Sequence, residues 1–427
     1  MTRCQTEGAP EVAAPQRGAG AGVNLLVNVL TLLVVLDYAD RSALGAVAPA
    51  LRADLDLSLA QLGYVGAVFG VVGGLATLLA GALVDTVPRL RMLALSALTW
   101  SVAMLATGLA NSLLMLLLAR ACLGVVLATV GPAYPSLIGD AVPQGQRGRA
   151  LGRVGAGQLL GLGLGIGVGA LAVAVLDWRW AFFALGVPAL LLAPRLATVP
   201  EPARRGSGDP VPFRRVVRLV RTTPTYGLVL LAVAAGSYYL AGASAFSTLF
   251  AVARYDVSTP VADLALVALG AGALWGIVVG SRLSDRLSAQ GRGAHRLTWT
   301  AGGYLLTAVA WMPALFVHSL PLALPFLVLG SAALGSTIPS LDAIRLDVVP
   351  PSMRGRAEAV RTLVRAIAEG GAPLAFGLIA SHAGGDDEGL QLAFLLALPG
   401  LVVAAGLVLV ARRTHDRDRA PVAALEG

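Results

Sequence analysis

The chain has 427 residues, of which 56% are hydrophobic and 13% charged, and its mean hydropathy is +0.77. A soluble chain carries roughly 25% charged residues, so this composition excludes an ordinary water-soluble domain. The net charge of +8 comes from arginine alone, since there is no lysine. The arginines are scattered over short loops and form no basic face of the kind that binds nucleic acid.

Apolar stretches of about 20 residues recur from end to end, the length that crosses a hydrocarbon core of ~30 Å. About twelve are expected, with boundaries good to a few residues. Residues 1–22 are rich in Ala, Gly and Pro and lack a signal-peptide pattern; a disordered cytoplasmic tail is expected. Residues 23–199 then form one six-helix bundle, 200–224 a polar linker, 225–411 a second bundle and 412–427 a cytoplasmic tail. In the linker, Phe213, Val216, Val217 and Val220 share one helix face, and Arg214, Arg218 and Arg221 another. That pattern suits either a basic amphipathic helix on the membrane surface or a flexible charged linker.

The first apolar stretch, "LLVVLDYADRSALGAVAPAL", is interrupted by Asp37, Asp40 and Arg41. Their i, i+3 and i+4 spacing puts them within about 100° of one another on a helix. A charge at the bilayer centre costs about 2.5–3.5 kcal/mol on insertion scales, so such residues face a partner or a cavity. A salt bridge that locks the helix and a titrating site coupled to transport both fit, with Asp40 the titrating candidate. Arg120 is a second deep cation, either snorkelling from a helix end or helping the coupling acid release its proton.

Helix 5 reads "GAGQLLGLGLGIGVGA", with one glycine ladder at 157, 161, 165 and 169 and a second at 155, 163 and 167. Small residues at this spacing let helices approach closely. Past the linker, Tyr238 and Tyr239 either reach the cavity with their hydroxyls or pack, and Asp342 with Arg345 forms an i, i+3 pair suited to gating, with substrate contact also open. Glu369, in "RAIAEGGAPLAFG", is a further acid within an apolar stretch.

An internal repeat organises the chain. "AVPQGQRGRA" at 141–150 recurs as "VVPPSMRGRA" at 348–357, so that Asp140 and Arg147 match Asp347 and Arg354. "GALVDTVPRLR" around Asp85 similarly matches "SRLSDRLSAQ" around Asp285 and Arg286. Arginine-rich loops alternate with arginine-poor ones, which by the positive-inside rule sets the former and both termini in the cytoplasm. Two parallel six-helix halves follow, the plan of transporters that rock about a midplane site.

Gly81-x-x-x-Asp85-x-x-x-Arg89-x-Arg91 resembles the loop-2/3 signature of the major facilitator superfamily, a latch of an acid with arginines at helix ends. Thr86 and Pro88 depart from it, replacing a basic residue and a glycine. Arg120-x-x-x-Gly124-x-x-x-Ala128 resembles the superfamily's helix-4 arginine motif, and the helix-5 glycines its antiporter signature without the proline. "DYADRSALGAVAPAL" and "RACLGVVLATVGPAYPSLIGDAVPQGQRGRALG" are similar to the spinster-like branch over roughly the first 170 residues. The resemblance implies the all-α fold of twelve transmembrane helices in two pseudo-symmetric bundles. It implies secondary transport, with lysolipids or sphingolipid phosphates as substrates of several members, and a proton-coupling network that includes Asp40 and Arg41. Where the branch carries a helix-4 glutamate this chain has Leu127, and Glu369 falls where the branch tends to carry an acid in helix 11.

The expectation is a non-enzymatic, monomeric transporter of the inner (plasma) membrane that exports an amphipathic or lipid-like molecule by alternating access and proton exchange. Drug- or metabolite-type proton antiport is the alternative within transport, and a non-transporting receptor or scaffold the alternative outside it. Its partners are the small amphipathic substrate, protons and membrane lipids. No cofactor is expected: the absent lysine removes a Walker motif, and Cys4 and Cys122, far apart, suggest neither disulfide nor metal.

Overall fold

A computed structural model describes residues 17–142, 146–198, 201, 220, 222–350, 353–384 and 386–426. The expected amphipathic segment of the linker falls outside them almost entirely. The side chains of Gly81, Asp85, Leu127, Arg147 and Arg354 also lie outside the description.

Among the described residues the chain forms twelve long helices. They are α1 (Arg17–Asp54), α2 (Leu59–Thr86), α3 (Arg89–Gly108), α4 (Leu113–Ala141), α5 (Arg147–Val175) and α6 (Arg179–Thr198), then α7 (Pro224–Tyr255), α8 (Thr259–Ala289), α9 (His295–Ala314), α10 (Leu320–Val348), α11 (Arg354–His382) and α12 (Asp386–Glu426). Helices satisfy their own backbone groups, which hydrocarbon demands. Ten are long and apolar enough to cross a membrane, and α4 adds the shorter apolar stretch Leu113–Val126. Large side chains such as Leu114, Leu118, Leu160, Leu264 and Val309 stand more than 60% exposed on the outside, where lipid would cover them.

Local chemistry sets the helix ends. Ser58 and Gln61 bond each other's backbone N–H reciprocally, a capping box that opens α2. Ser112 caps α4 by accepting from the Met115 N–H. Asp56 after α1 and Asp256 after α7 both sit in the left-handed region, at φ 48° and 51°, a conformation that aspartate tolerates better than most residues. "DLS" and "DVS" at these two turns repeat at an offset of 200.

The duplication governs packing. In the first half α2 packs on α4, α3 on α4 and α6, and α1 on α5 and α6; in the second, α8 packs on α10, α9 on α10 and α12, and α7 on α11 and α12. Three seams join the halves: α1 with α7, α2 with α11 and α5 with α8. The α2–α11 seam is built on glycine, since a Cβ on Gly70 would stand 2.4 Å from the Cα of Gly370. Gly63 and Gly66 likewise accommodate Pro373 of α11.

Two stretches differ from expectation. Helix α1 begins at Arg17, inside the expected tail, and α12 runs through the expected tail to Glu426. The α12 extension is stapled back onto the bundle. The backbone N–H of Thr225 donates to Asp418 at 2.9 Å, Thr225 and Thr414 share a hydroxyl hydrogen bond at 2.6 Å, and His415 is fully buried.

The two glycine ladders of α5 separate cleanly. Gly157, Gly161, Gly165 and Gly169 lie against α1, whereas nothing approaches Gly155, Gly163 or Gly167 within 4 Å. A Cβ on Gly165 would stand 2.0 Å from the Ala39 carbonyl oxygen and 2.2 Å from Ser42 Oγ. Gly165→Ala is therefore expected to destabilise by about 1–3 kcal/mol, the usual cost of overpacking. Gly163→Ala, on the open side, is expected to be neutral or mildly stabilising, by up to about 1 kcal/mol. Thermal unfolding of the two variants in detergent checks the contrast.

Candidate functional site

Asp40 lies about 21 Å along α1 from Asp54, at ~1.5 Å per residue, near the middle of the Val23–Asp54 span. Its Oδ1 accepts a hydrogen bond from Arg120 Nη1 of α4 at 2.9 Å, with both side chains 1% exposed. The Arg120 guanidinium also lies 5.0 Å from the centre of the Phe182 ring of α6, a favourable cation–π contact. Oδ2 of Asp40 and Nε and Nη2 of Arg120 have no hydrogen-bond partner. One bond thus holds two buried charges, a state that is costly to break and not fully satisfied.

Arg41 belongs to a different group. Its guanidinium contacts Asp37 at 3.3 Å and Glu369 of α11 at 3.8 Å. It sits 5.1 Å from the Tyr38 ring centre and 5.2 Å from that of Phe69 of α2. Glu369 is also bound by Arg365 at 2.6 Å, and Arg365 donates to the Tyr38 hydroxyl at 3.4 Å. The side chains of Arg41, Glu369 and Arg365 are 26%, 25% and 31% exposed. They therefore meet the space between the halves, which the Asp40–Arg120 pair does not.

The expected single face of three charges is corrected accordingly. On a helix Asp37 lies between the other two, with Asp40 and Arg41 about 100° apart at the edges of the arc. Asp40 faces α4 inside its own bundle, while Asp37 and Arg41 face α11 across the seam. Tyr239 leaves the candidate cavity: it is buried, stacked on Trp311 at 5.1 Å and edge-on to Phe394 at 6.3 Å. Tyr238 is half-buried against the same core. Asp342 lies 3.6 Å from Arg345, but Arg345 also binds Glu358, which binds Arg361, so the cluster ties α10 to α11.

At the arginine-rich face Arg89 binds Asp140 at 2.5 Å and Glu201 at 2.9 Å. In the second half Arg296 binds Asp347, which also lies 3.5 Å from His415. Arg89–Asp140 and Arg296–Asp347 repeat at an offset of 207 (89 to 296, 140 to 347). Both pairs join helices within one half, α3 to α4 and α9 to α10. Arg91 is exposed, and Asp285 and Arg286 are exposed and make no ion pair among the described residues. Arg296, Arg365, Glu201, Tyr38 and Phe69 were not anticipated; the 207 offset alone would have pointed to Arg296.

The described hydrogen bonds and ion pairs that cross between halves run from the Arg365–Tyr38 contact, one turn nearer the arginine-rich face than Glu369, to the opposite, arginine-poor face. Arg52 of α1 binds Asp386 of α12, and the Ala60 N–H donates to Ser381 Oγ at 2.8 Å. The close approach of Gly45 to the Ser244 carbonyl belongs to the same region.

The sequence model of the Major Facilitator Superfamily matches residues 30–295. The chain belongs to this superfamily. It is 31% identical over 166 residues to a probable L-galactonate transporter of Escherichia coli, covering 39% of this chain and 36% of that protein. It is 30% identical over 193 residues to the puromycin resistance protein pur8 of Streptomyces alboniger, covering 45% and 37%. The chain thus matches little more than a third of the length of these relatives. Its fold is similar to that of a bacterial homolog of the human lysosomal transporter Spinster in an inward-facing, unoccupied conformation, with a TM-score of 0.80 at 22% identity over 93% of this chain and 98% of that one. The nucleoside transporter NupG follows at a TM-score of 0.71 and 12% identity, over 91% and 98%. By its family and its apolar helices the protein is a multi-pass membrane protein.

Two expectations follow for these charges. Removing one member of a buried pair strands the other, at about 3–5 kcal/mol. Arg120→Met is therefore expected to lower the thermal midpoint in detergent much further than the double variant Arg120→Met/Asp40→Asn. Burial opposes ionisation of Glu201, but the backbone N–H of Leu90 and the side chain and backbone N–H of Arg89 outweigh it and hold the carboxyl below its usual range. A depressed folded value stabilises above the unfolded value of about 4.3, and that stability is lost as pH falls through the folded value. Glu201→Gln should be less stable than wild type at pH 7, and the difference should shrink as a melting series is taken below about pH 4.

Proposed function

We propose that the protein exports an amphipathic organic molecule with an anionic head group, by alternating access coupled to protons. The observation that carries this reading is the Arg41 guanidinium, part-exposed between the halves and shared with a carboxylate of the opposite half, Glu369. Arg41 and Arg365 offer two guanidiniums at one level, suited to a carboxylate or phosphate. The helix faces around them are mostly apolar, which favours a ligand with a hydrophobic body. The resemblance of "DYADRSALGAVAPAL" to the spinster-like branch implies a lysolipid-like class.

On this reading Asp40 is the proton carrier. Its pair with Arg120 has one hydrogen bond and an unpartnered oxygen, so a small shift of α1 against α4 changes how strongly the carboxylate is held. The arginine-rich face is cytoplasmic by the positive-inside rule, in the inner membrane of a cell. The described ion pair Arg52–Asp386 and the Ala60–Ser381 hydrogen bond join the halves at the other face, and an inward-open state with that face sealed is one half of the proposed cycle.

A second reading has its own support. The relatives named for L-galactonate, D-galactonate and sulfoacetate transport act on small anions, and a short organic acid would use the same two arginines. Proteoliposomes separate the two. Lysophosphatidate is expected to exchange in counterflow and to be driven by an imposed pH gradient, and galactonate is not. Asp40→Asn should abolish the pH-driven component while leaving counterflow measurable. Asp40→Asn that retains pH-driven transport would overturn the coupling role, and galactonate exchange in place of lysophosphatidate would favour the second reading.

A further inference from the structure

We infer that Asp263 of α8 is a second proton-binding site, one that takes up a proton as the arginine-poor face seals. The inference rests on the alternating-access reading. Asp263 is fully buried. Its Oδ1 accepts from the Thr248 hydroxyl of α7 at 2.8 Å, and its Oδ2 is buried with no partner. An isolated carboxylate with one hydrogen bond and no counter-ion is not kept ionised away from water, whereas the neutral acid is tolerated there.

The charged groups of the surrounding helices are engaged elsewhere. On α7, Arg254 binds Asp387 and the Phe316 carbonyl, and Tyr255 donates to the Ala314 carbonyl. On α1, Arg52 binds Asp386 and Asp54 binds Arg179. The ionisable residues of α10, namely Asp342, Arg345 and Asp347, lie at the far end of that helix. Those of α5, Arg147, Arg149 and Arg153, lie at its arginine-face end, as do Arg282, Asp285 and Arg286 of α8 itself.

Position links the site to the seams. Thr248 lies one turn beyond Ser244 on α7, hence on the same face, and the Ser244 carbonyl abuts Gly45 of α1. Helix α8 packs on α5 of the other half. The Asp263–Thr248 pair thus joins α7 and α8, each of which packs against a helix of the other half. Separation of the halves there admits water, and Asp263 ionises and releases its proton; closure requires the proton back. Low pH at this face therefore favours the sealed state. The sign distinguishes Asp263 from the Arg52–Asp386 pair nearby, because protonating Asp386 removes an ion pair that crosses the halves and favours opening.

The experiment uses the full chain in lipid nanodiscs, with Cys4 and Cys122 replaced by Ser and spin labels at Asn111→Cys and His318→Cys, on exposed loops of opposite halves. In the parent protein, raising pH from 5 to 9 is expected to build up a longer-distance population. In Asp263→Asn, which can still accept from Thr248, the short distance should persist at every pH. Thr248→Val removes the one described side-chain hydrogen bond to the carboxyl and should raise the transition midpoint by about one pH unit. Asp263→Asn titrating like the parent, or Thr248→Val leaving the midpoint unmoved, overturns the proposal. Arg52→Glu separates the two failures. If it yields the long distance while Asp263→Asn titrates like the parent, only the proton site is wrong; if no variant or pH yields a second population, alternating access fails with it.

Discussion

A charge inside hydrocarbon must find a partner within the protein, because no water is there to solvate it. The remaining architecture can be derived from how this chain meets that demand at three depths. At the midplane Asp40 and Arg120 neutralise each other inside the first bundle. At the arginine-rich face, Arg89 with Asp140 and Arg296 with Asp347 fasten neighbouring helices of each half. At the opposite face Arg52 and Asp386 reach between halves. Pairs within a half give it stiffness, and pairs between halves give it states.

The duplication sharpens this division. The paired latches at the arginine-rich face repeat at an offset of 207, and the left-handed Asp56 and Asp256 repeat at 200. The centre does not repeat. At the corresponding offsets Asp40 and Arg41 become Leu240 and Ala241, and Arg120 becomes Leu327. The scaffold kept its symmetry, while the charges at mid-depth are concentrated on α1 and α4 of one half and on α11 of the other. On the proposed reading the two sides of the membrane are treated differently, and the departure from symmetry lies at the depth where that difference would be read.

Much of the fold was legible in the sequence because the membrane imposes length and hydropathy on each span, and the twelve helices follow. The site was only partly legible. Spacing brought Asp37, Asp40 and Arg41 into one arc, but an arc about 100° wide reaches two neighbours, and only packing decides that Asp40 turns to α4 and Arg41 to α11. The same limit applies to the glycine ladders of α5, which have equal spacing yet differ completely in surroundings. Asp263 was illegible for a related reason: a lone acid near a helix start reads as a solvated residue, and its burial is set by how α8 folds back on α7, where Thr248 meets it.

On the proposed reading, Leu127, where the resembled branch carries an acid, bears on how proton coupling would be built. An acid on α4 would share the first bundle with Asp40, so both titrating groups would move together as that bundle rocks. In this chain the carboxylate of the other bundle that reaches Arg41 is Glu369, at 3.8 Å. A proton or an anion that changes the Arg41–Glu369 contact acts directly on the distance between the halves. Arg365, one turn before Glu369 on α11, holds the carboxylate at 2.6 Å against 3.8 Å for Arg41, so Glu369 stays with its own half when the contact opens. The ion pair across the seam is thus the looser of the two, and the seam, not the carboxylate's anchorage, is what yields.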